Sequence, residues 1–139
     1  MRKFSHFPKR RGEWVELQFM ARATGKGFTV SKPWGDSARY DFAVEYGGRF
    51  HRVQVKSTSR CRPGDPRAYM CSVVRRYADG KGKPYGKNEI DFFALFLIPE
   101  EVWYIVPAAC ATRHHLHLKP SATRNRWFKY LEAWDLLRT

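Results

Sequence analysis

Residues 40–58, "YDFAVEYGGRFHRVQVKST", constrain the fold more tightly than any other part of the chain. A two-residue Gly-Gly loop between strand-like runs is a hairpin signal, because the tight primed turns need positive φ. With Gly47 and Gly48 as the loop, Tyr46 faces Arg49, Val44 faces His51, Phe42 faces Val53 and Asp41 faces Gln54. Side chains alternate along a strand, so Phe42, Val44, Val53 and Val55 share one face while Asp41, Gln54 and Lys56 share the other. The apolar face fixes this register, since a slip by one residue would bury the polar trio.

The second constraint is "IDFFALFLIPEEVWYIVP", which reads as strands over 91–98 and 102–106 joined by a turn at Pro99-Glu100-Glu101. Both parities of the first run are apolar, the pattern of a central strand covered on both sides. Around these the chain predicts a helix over 12–24 ended by Gly25-Lys26-Gly27, a short strand over 28–31, a strand over 68–76 and a flexible basic loop over 78–89. A short helix near 108–113, a strand over 116–118 and a C-terminal helix over 125–137 complete an α/β arrangement with a mixed sheet flanked by helices. In that last helix Trp127, Tyr130 and Trp134 have the spacing of a buried stripe rather than of a base-stacking surface.

The 139 residues are expected to form one domain, 1–139, with a basic arm at 1–11. No apolar run has the roughly 20 residues of a membrane span, and the N-terminal stretch lacks a signal-peptide core. The expectation is a cytoplasmic, nucleoid-associated protein with no membrane partner. Cys61, Cys71 and Cys110 form no CxxC pair, which supports neither a disulfide framework nor a zinc knuckle. Twenty-six Lys and Arg against 13 Asp and Glu give a net charge of +13, a balance suited to a polyanion. The basic residues gather in segments from which Arg10, Arg11, Arg60, Arg62, Lys81, Lys83 and Lys87 are taken as candidate DNA contacts. His114, His115 and His117 have no second ligand cluster nearby in sequence, so a phosphate contact or a solvated edge is expected of them rather than zinc.

A carboxylate, an amide oxygen and an ammonium on one strand face suit metal-assisted phosphodiester hydrolysis. Asp41 would offer Mg²⁺ a hard anionic oxygen, Gln54 a neutral oxygen, and Lys56 a charge that orients or deprotonates the attacking water. On the preceding helix, turning about 100° per residue from Trp14, Glu13 falls near about 260° and Glu16 near about 200°, both inside the arc that holds Leu17, Met20, Ala23 and Phe19. A carboxylate directed toward a core needs a partner, Lys56, an arginine or a metal. Glu16 is the candidate nearer the site and Glu13 the secondary one.

The helix with "GEWVE", then "YDF", a hairpin and "VQVKS" resembles the PD-(D/E)XK nuclease superfamily, in its branch of group I intron homing endonucleases and Holliday-junction-resolvase-like proteins. The resemblance implies a restriction-endonuclease-like αβββαβ core and a Mg²⁺-dependent DNA endonuclease, with Mn²⁺ as substitute. It places Glu16 at the helix glutamate, Asp41 at the metal aspartate, Gln54 at the D/E position and Lys56 at the catalytic lysine, so that Asp41, Gln54 and Glu16 hold the metal. Two departures stand out: no proline precedes Asp41, and glutamine fills the third-motif acid position, a substitution known in the homing-endonuclease branch. Competing readings are a nucleic-acid-binding module that keeps the fold but cuts poorly, and a small basic RNA- or ribosome-associated protein. One site per chain cuts one strand, so a double-strand break implies a homodimer or homotetramer.

Overall fold

The computed structural model describes residues 7–77 and 79–139; Met1 to His6 of the expected basic arm, and Ala78 of the basic loop, lie outside it. The Gly-Gly hairpin forms in the expected register. β2 (Phe42–Tyr46) and β3 (Arg49–Thr58) pair Phe42 with Val53, Val44 with His51 and Tyr46 with Arg49. Gly47 and Gly48 sit at φ 59° and 80°, where only glycine is free of steric cost.

A five-stranded sheet is built around this hairpin in the order β1-β2-β3-β8-β9, with β1 at Thr29–Ser31, β8 at Phe92–Leu97 and β9 at Val102–Pro107. Every pair is antiparallel except β3 with β8, which makes the sheet mixed. All six residues of β8 are buried, as its double apolar parity requires. Phe92, Ala94 and Phe96 pack with Phe42, Val44, Val53 and Val55 beneath α1 (Pro8–Gly25). Phe93, Leu95 and Leu97 pack with Tyr69, Cys71, Leu116 and Leu118 of a second sheet on the opposite face, formed by β10 (His115–Leu118), β5 (Asp65–Ser72) and β4 (Cys61–Arg62).

α1 starts four residues before its expected position. Pro8 at the first helical turn has its φ preset and lacks an N–H that would go unpaired there, so Lys9, Arg10 and Arg11 join the helix. Its buried stripe is Val15, Phe19 and Ala23, one residue per turn. Phe19 is fully buried against the rings of Phe42, Trp103 and Trp134, which contributes on the order of 3 kcal/mol. The stripe is narrower than the arc drawn from sequence: Leu17 is 58% exposed and Glu13 is exposed, while Glu16 borders the stripe and is half-buried.

The expected strand over 68–76 is two strands, β5 and β6 (Val74–Arg76), broken at Val73, whose N–H turns to the His114 carbonyl at 3.0 Å. The expected loop over 78–89 contains β7 (Gly82–Pro84), which pairs with β6 to make a two-stranded ribbon. The crossover between the parallel β3 and β8 is thus made of β4 to β7, and α1 is the single α-helix among the described residues. A short 3-10 turn, Ala108–Cys110, replaces the expected helix near 108–113.

The expected C-terminal helix is overturned: the segment is two 3-10 turns, Phe128–Tyr130 and Trp134–Arg138, with Leu131 extended and Glu132 at φ 51° between them. Glu132 explains the break. Its N–H donates to the Trp103 carbonyl at 2.7 Å, and its carboxylate accepts the Trp103 N–H at 2.7 Å and the Trp134 indole N–H at 2.9 Å. The aromatic stripe is therefore buried but divided, Trp127 and Tyr130 packing on one face of the central sheet and Trp134 on the other.

Candidate active site

Asp41 stands at the point where β2 leaves β3. Its own N–H still donates to the Val53 carbonyl at 2.9 Å, but its carboxylate Oδ2, not its backbone, accepts the next N–H of β3, that of Val55, at 2.9 Å. The side chain thereby completes the ladder and is locked in one orientation, with Oδ1 free of hydrogen bonds among the described residues. Burial raises the carboxyl above the usual aspartate range. The Val55 N–H opposes that shift, the neighbouring charge of Glu16 adds to it, and Lys32 and Lys56 pull it back.

Lys56 projects from β3 two residues beyond Gln54, and its ammonium donates to the Val74 carbonyl at 3.1 Å while lying 5.6 Å from the centre of the Tyr85 ring. Burial lowers its pKa, and Arg76 lowers it further. Burial pushes the nearby Cys71 thiol up to about 12, so at neutral pH that sulfur is uncharged and Asp41 is the anion that steadies the ammonium. Gln54, two residues before Lys56 on the same face of β3, is half-buried and makes no side-chain hydrogen bond among the described residues. Its amide oxygen is available to a ligand.

Glu16 reaches the site from α1. It shares with Asp41 a cleft of about 230 Å³ whose wall also includes Lys32, Pro33, Gly35, Asp36 and Tyr40. Within it Glu16 Oε1 pairs with Lys32 Nζ at 2.6 Å, and the same ammonium lies 5.0 Å from the Phe42 ring centre. Glu13 is not brought in; it lies with Phe7, Pro8, Lys9 and Arg10 at the start of the helix. A cleft of about 530 Å³ beside Gln18, Arg22, Lys26 and Trp103 contains none of Asp41, Gln54, Lys56 or Glu16.

Three participants escaped the sequence reading. Lys32 directly follows the expected strand over 28–31 and was assigned no role, though a cation just after a strand that follows a helix carboxylate was the available signal. Val74 fell in the expected strand over 68–76 and Tyr85 in the expected loop over 78–89, and both acquire their place from the β6–β7 ribbon, whose second strand was read as loop because Gly and Lys dominate it. Tyr85 also packs edge-on against Phe93 at 5.5 Å, which ties the ribbon's base to the core.

The candidate DNA contacts are distributed over separate elements. Arg10 and Arg11 lie in the first turns of α1, Arg60 follows β3, Arg62 is in β4, Lys83 is in β7, and Lys81 and Lys87 flank it. On the ribbon, Arg75 and Lys83 stand 4.9 and 5.0 Å from the Tyr77 ring centre. The first turn of α1 has no acidic residue, and cations there oppose the helix dipole, a placement that favours an anionic partner over helix stability. His115 and His117 point outward from β10 while Leu116 and Leu118 are buried, and burial together with Arg60 and Arg76 lowers the His115 pKa.

This mixed sheet, with its edge aspartate and its Gln-x-Lys strand under one helix, has the architecture of a restriction-endonuclease-like nuclease. The model of the PD-(D/E)XK endonuclease family matches residues 6–137, and the chain belongs to that family. The solved structure of a bacterial homing endonuclease, I-Ssp6803I, is similar over 94% of this chain and 92% of that one, with a TM-score of 0.80 and 28% sequence identity. Among curated proteins no relative matches. No helix among the described residues is long and apolar enough to cross a membrane.

Proposed function

We propose that this endonuclease is a divalent-metal-dependent deoxyribonuclease of the homing type, with Asp41, Gln54, Lys56 and Glu16 as its working residues. The observation that carries the reading is the pair of half-buried, oppositely charged groups, Asp41 and Lys56, each fixed by a hydrogen bond to the backbone beside an unengaged Gln54. A stability role does not account for them, because the pKa of each is shifted toward its uncharged form.

The donors fit Mg²⁺. Among the described residues no three His, Cys, Asp or Glu side chains gather at one point, so a cage made wholly of such ligands is not what the site offers. Mg²⁺ is usually held by one or two carboxylates together with water and substrate phosphate, and Asp41, Glu16 and the Gln54 oxygen supply that kind of set. Mn²⁺ is the natural substitute. When bound, the metal supplies Lewis-acid activation of water and of the scissile phosphate. Asp41 orients through its Val55 hydrogen bond, and Lys32 holds Glu16 at the cleft wall. Lys56 Nζ, with its pKa lowered, positions the attacking water and relays its proton.

A homodimer or homotetramer is part of the proposal, since each chain brings one such site. A junction-resolvase-like substrate is the nearest variant within the same chemistry. The amide at Gln54 favours one alternative, a weakly cutting nucleic-acid-binding module. Nicking of supercoiled plasmid with Mg²⁺ or Mn²⁺, absent in EDTA and absent for Asp41→Ala, is the expected result; binding without cleavage under any divalent ion would favour the alternative.

A further inference from the structure

We propose that Trp34 is a base-stacking residue at the rim of the catalytic cleft, its indole receiving a nucleobase that has left its stack beside the scissile phosphate. The inference rests on the endonuclease reading of that cleft. Trp103, Trp127 and Trp134 are buried and Trp14 packs on Phe96, whereas Trp34 is fully exposed. Tryptophan is among the most buried side chains on average, and an indole left in water contributes nothing to the fold.

The segment presenting it is anchored at both ends. Lys32 is paired with Glu16 at 2.6 Å, and Arg39 with Glu89 at 2.9 Å. Between them Gly35 takes φ 78°, a bend that holds Trp34 off the sheet. Pro33 and Gly35, its two neighbours, line the cleft that contains Asp41 and Glu16. The indole therefore stands one residue from the wall of the site, on a tethered loop.

A second copy of this chain is the competing occupant. Among the described residues the other exposed large apolar side chains, Phe7, Leu17, Tyr46, Phe50 and Tyr77, lie outside residues 32–40, so the loop offers one flat ring and not the apolar patch of roughly 800 Å² per partner that a stable interface uses. Lys32 and Arg39 are already neutralised by their carboxylate partners, so what the loop adds to a basic protein is an uncharged π-face. A single aromatic face on a polycationic chain suits a nucleobase. Stacking on it requires a base out of its helical stack, which places a kinked or locally opened strand at the cut.

The test measures binding in EDTA, where cleavage is silent, to fluorescein-labelled oligo-dT and to a mixed-sequence duplex. Trp34→Ala is expected to weaken oligo-dT binding on the order of tenfold or more, with Trp34→Phe restoring most of it. Unlabelled oligo-dT should quench the tryptophan emission of the wild type, and Trp34→Phe should remove most of that quenching. Unchanged oligo-dT affinity in Trp34→Ala, or quenching that persists in Trp34→Phe, overturns the inference. So does a loss of oligomeric state in Trp34→Ala with oligo-dT affinity intact, which would assign the ring to a second copy. A wild type that nicks plasmid while Trp34→Ala binds and nicks equally well removes the stacking role alone, whereas a wild type that nicks no plasmid with either Mg²⁺ or Mn²⁺ removes the endonuclease reading of the cleft beneath it.

Discussion

The carboxylate of Asp41 accepts the backbone N–H of Val55 at 2.9 Å, so a candidate metal ligand is also the last rung of the β2–β3 ladder. The two roles separate by substitution. Burial raises the Asp41 pKa, meaning that its ionised form opposes folding, and that penalty is absent at acid pH and grows as pH rises through the folded-state pKa. Asp41→Asn keeps an acceptor for Val55 and loses the charge. It should abolish metal-dependent cleavage and, in EDTA at neutral pH, raise the melting midpoint by a few degrees at most, an advantage that vanishes on acidification. Asp41→Ala should lose cleavage without that gain. A midpoint for Asp41→Asn well below the wild type would contradict the raised pKa.

Lys56→Ala should reduce the cleavage rate by about a hundredfold or more while DNA binding survives, because in the proposed mechanism the ammonium serves the attacking water more than the DNA backbone. Glu45→Ala is the control. Glu45 lies on the same strand face, about 13 Å along the strand from Asp41 at some 3.3 Å per residue, and its removal should leave cleavage near the wild-type rate. Equal damage from Glu45→Ala and Lys56→Ala, read as single-turnover plasmid nicking, would sink the assignment.

Replacing Lys81, Lys83 and Lys87 together by Ala should weaken DNA binding and lower the slope of log affinity against log salt by up to about 3, roughly one unit per lost phosphate contact. Circular dichroism should show an unchanged fold, since these lysines are exposed. An unaltered slope would remove the β6–β7 ribbon from the DNA surface.

The hairpin, its register and the doubly buried β8 were legible because each rests on local rules: two glycines for a primed turn, and parity for the faces. From that register followed the shared face of Gln54 and Lys56, whereas Asp41 lies just outside the paired strand and bonds with Val53 and Val55 rather than facing Gln54. What could not be read depends on contacts distant in sequence. Residues 125–137 have helical spacing, yet Glu132 finds Trp103, 29 residues away, and that pairing outweighs local propensity. Likewise nothing near Lys56 indicates that Val74 and Tyr85 will hold it, since both arrive with a ribbon that only tertiary packing defines. Glu13 and Leu17 were misplaced because a helix with few strongly apolar residues leaves the centre of its buried face ambiguous to within a residue.

Arg52 and Asp91 join β3 to the start of β8 by a two-pronged pair, with Arg52 Nε to Asp91 Oδ2 at 3.1 Å and Nη2 to Oδ1 at 3.0 Å, and the Arg52 N–H adds a bond to Oδ2 at 2.7 Å. The Arg52 guanidinium holds the Asp91 carboxyl below its ordinary value. A depressed carboxyl stabilises the fold above its unfolded-state pKa, and that contribution is lost as pH falls through the folded-state pKa. Asp91→Asn should therefore cost on the order of 1 kcal/mol at pH 7, a modest figure because the pair is about one-third exposed. Urea denaturation of wild type and variant should converge as pH falls below about 4. A gap that persists undiminished in acid would mean that the loss is one of shape rather than charge.

Gln54→Glu restores an acid to the position beside Asp41, and its effect should have opposite signs with and without metal. Gln54 makes no hydrogen bond among the described residues, so the change breaks none, and it adds a second partly buried carboxylate near one that burial already strains. In EDTA the variant should melt below the wild type. Titrated with Mg²⁺, it should gain more stability than the wild type, because a ligand that binds only the folded state stabilises it by RT ln(1 + [L]/Kd), and a lower Kd gives a larger shift at each concentration. The variant should remain an active nuclease. Differential scanning fluorimetry across a Mg²⁺ series reads both halves at once: parallel curves for the two proteins would place Gln54 outside the metal site, whereas curves that start apart and then converge or cross would place it inside.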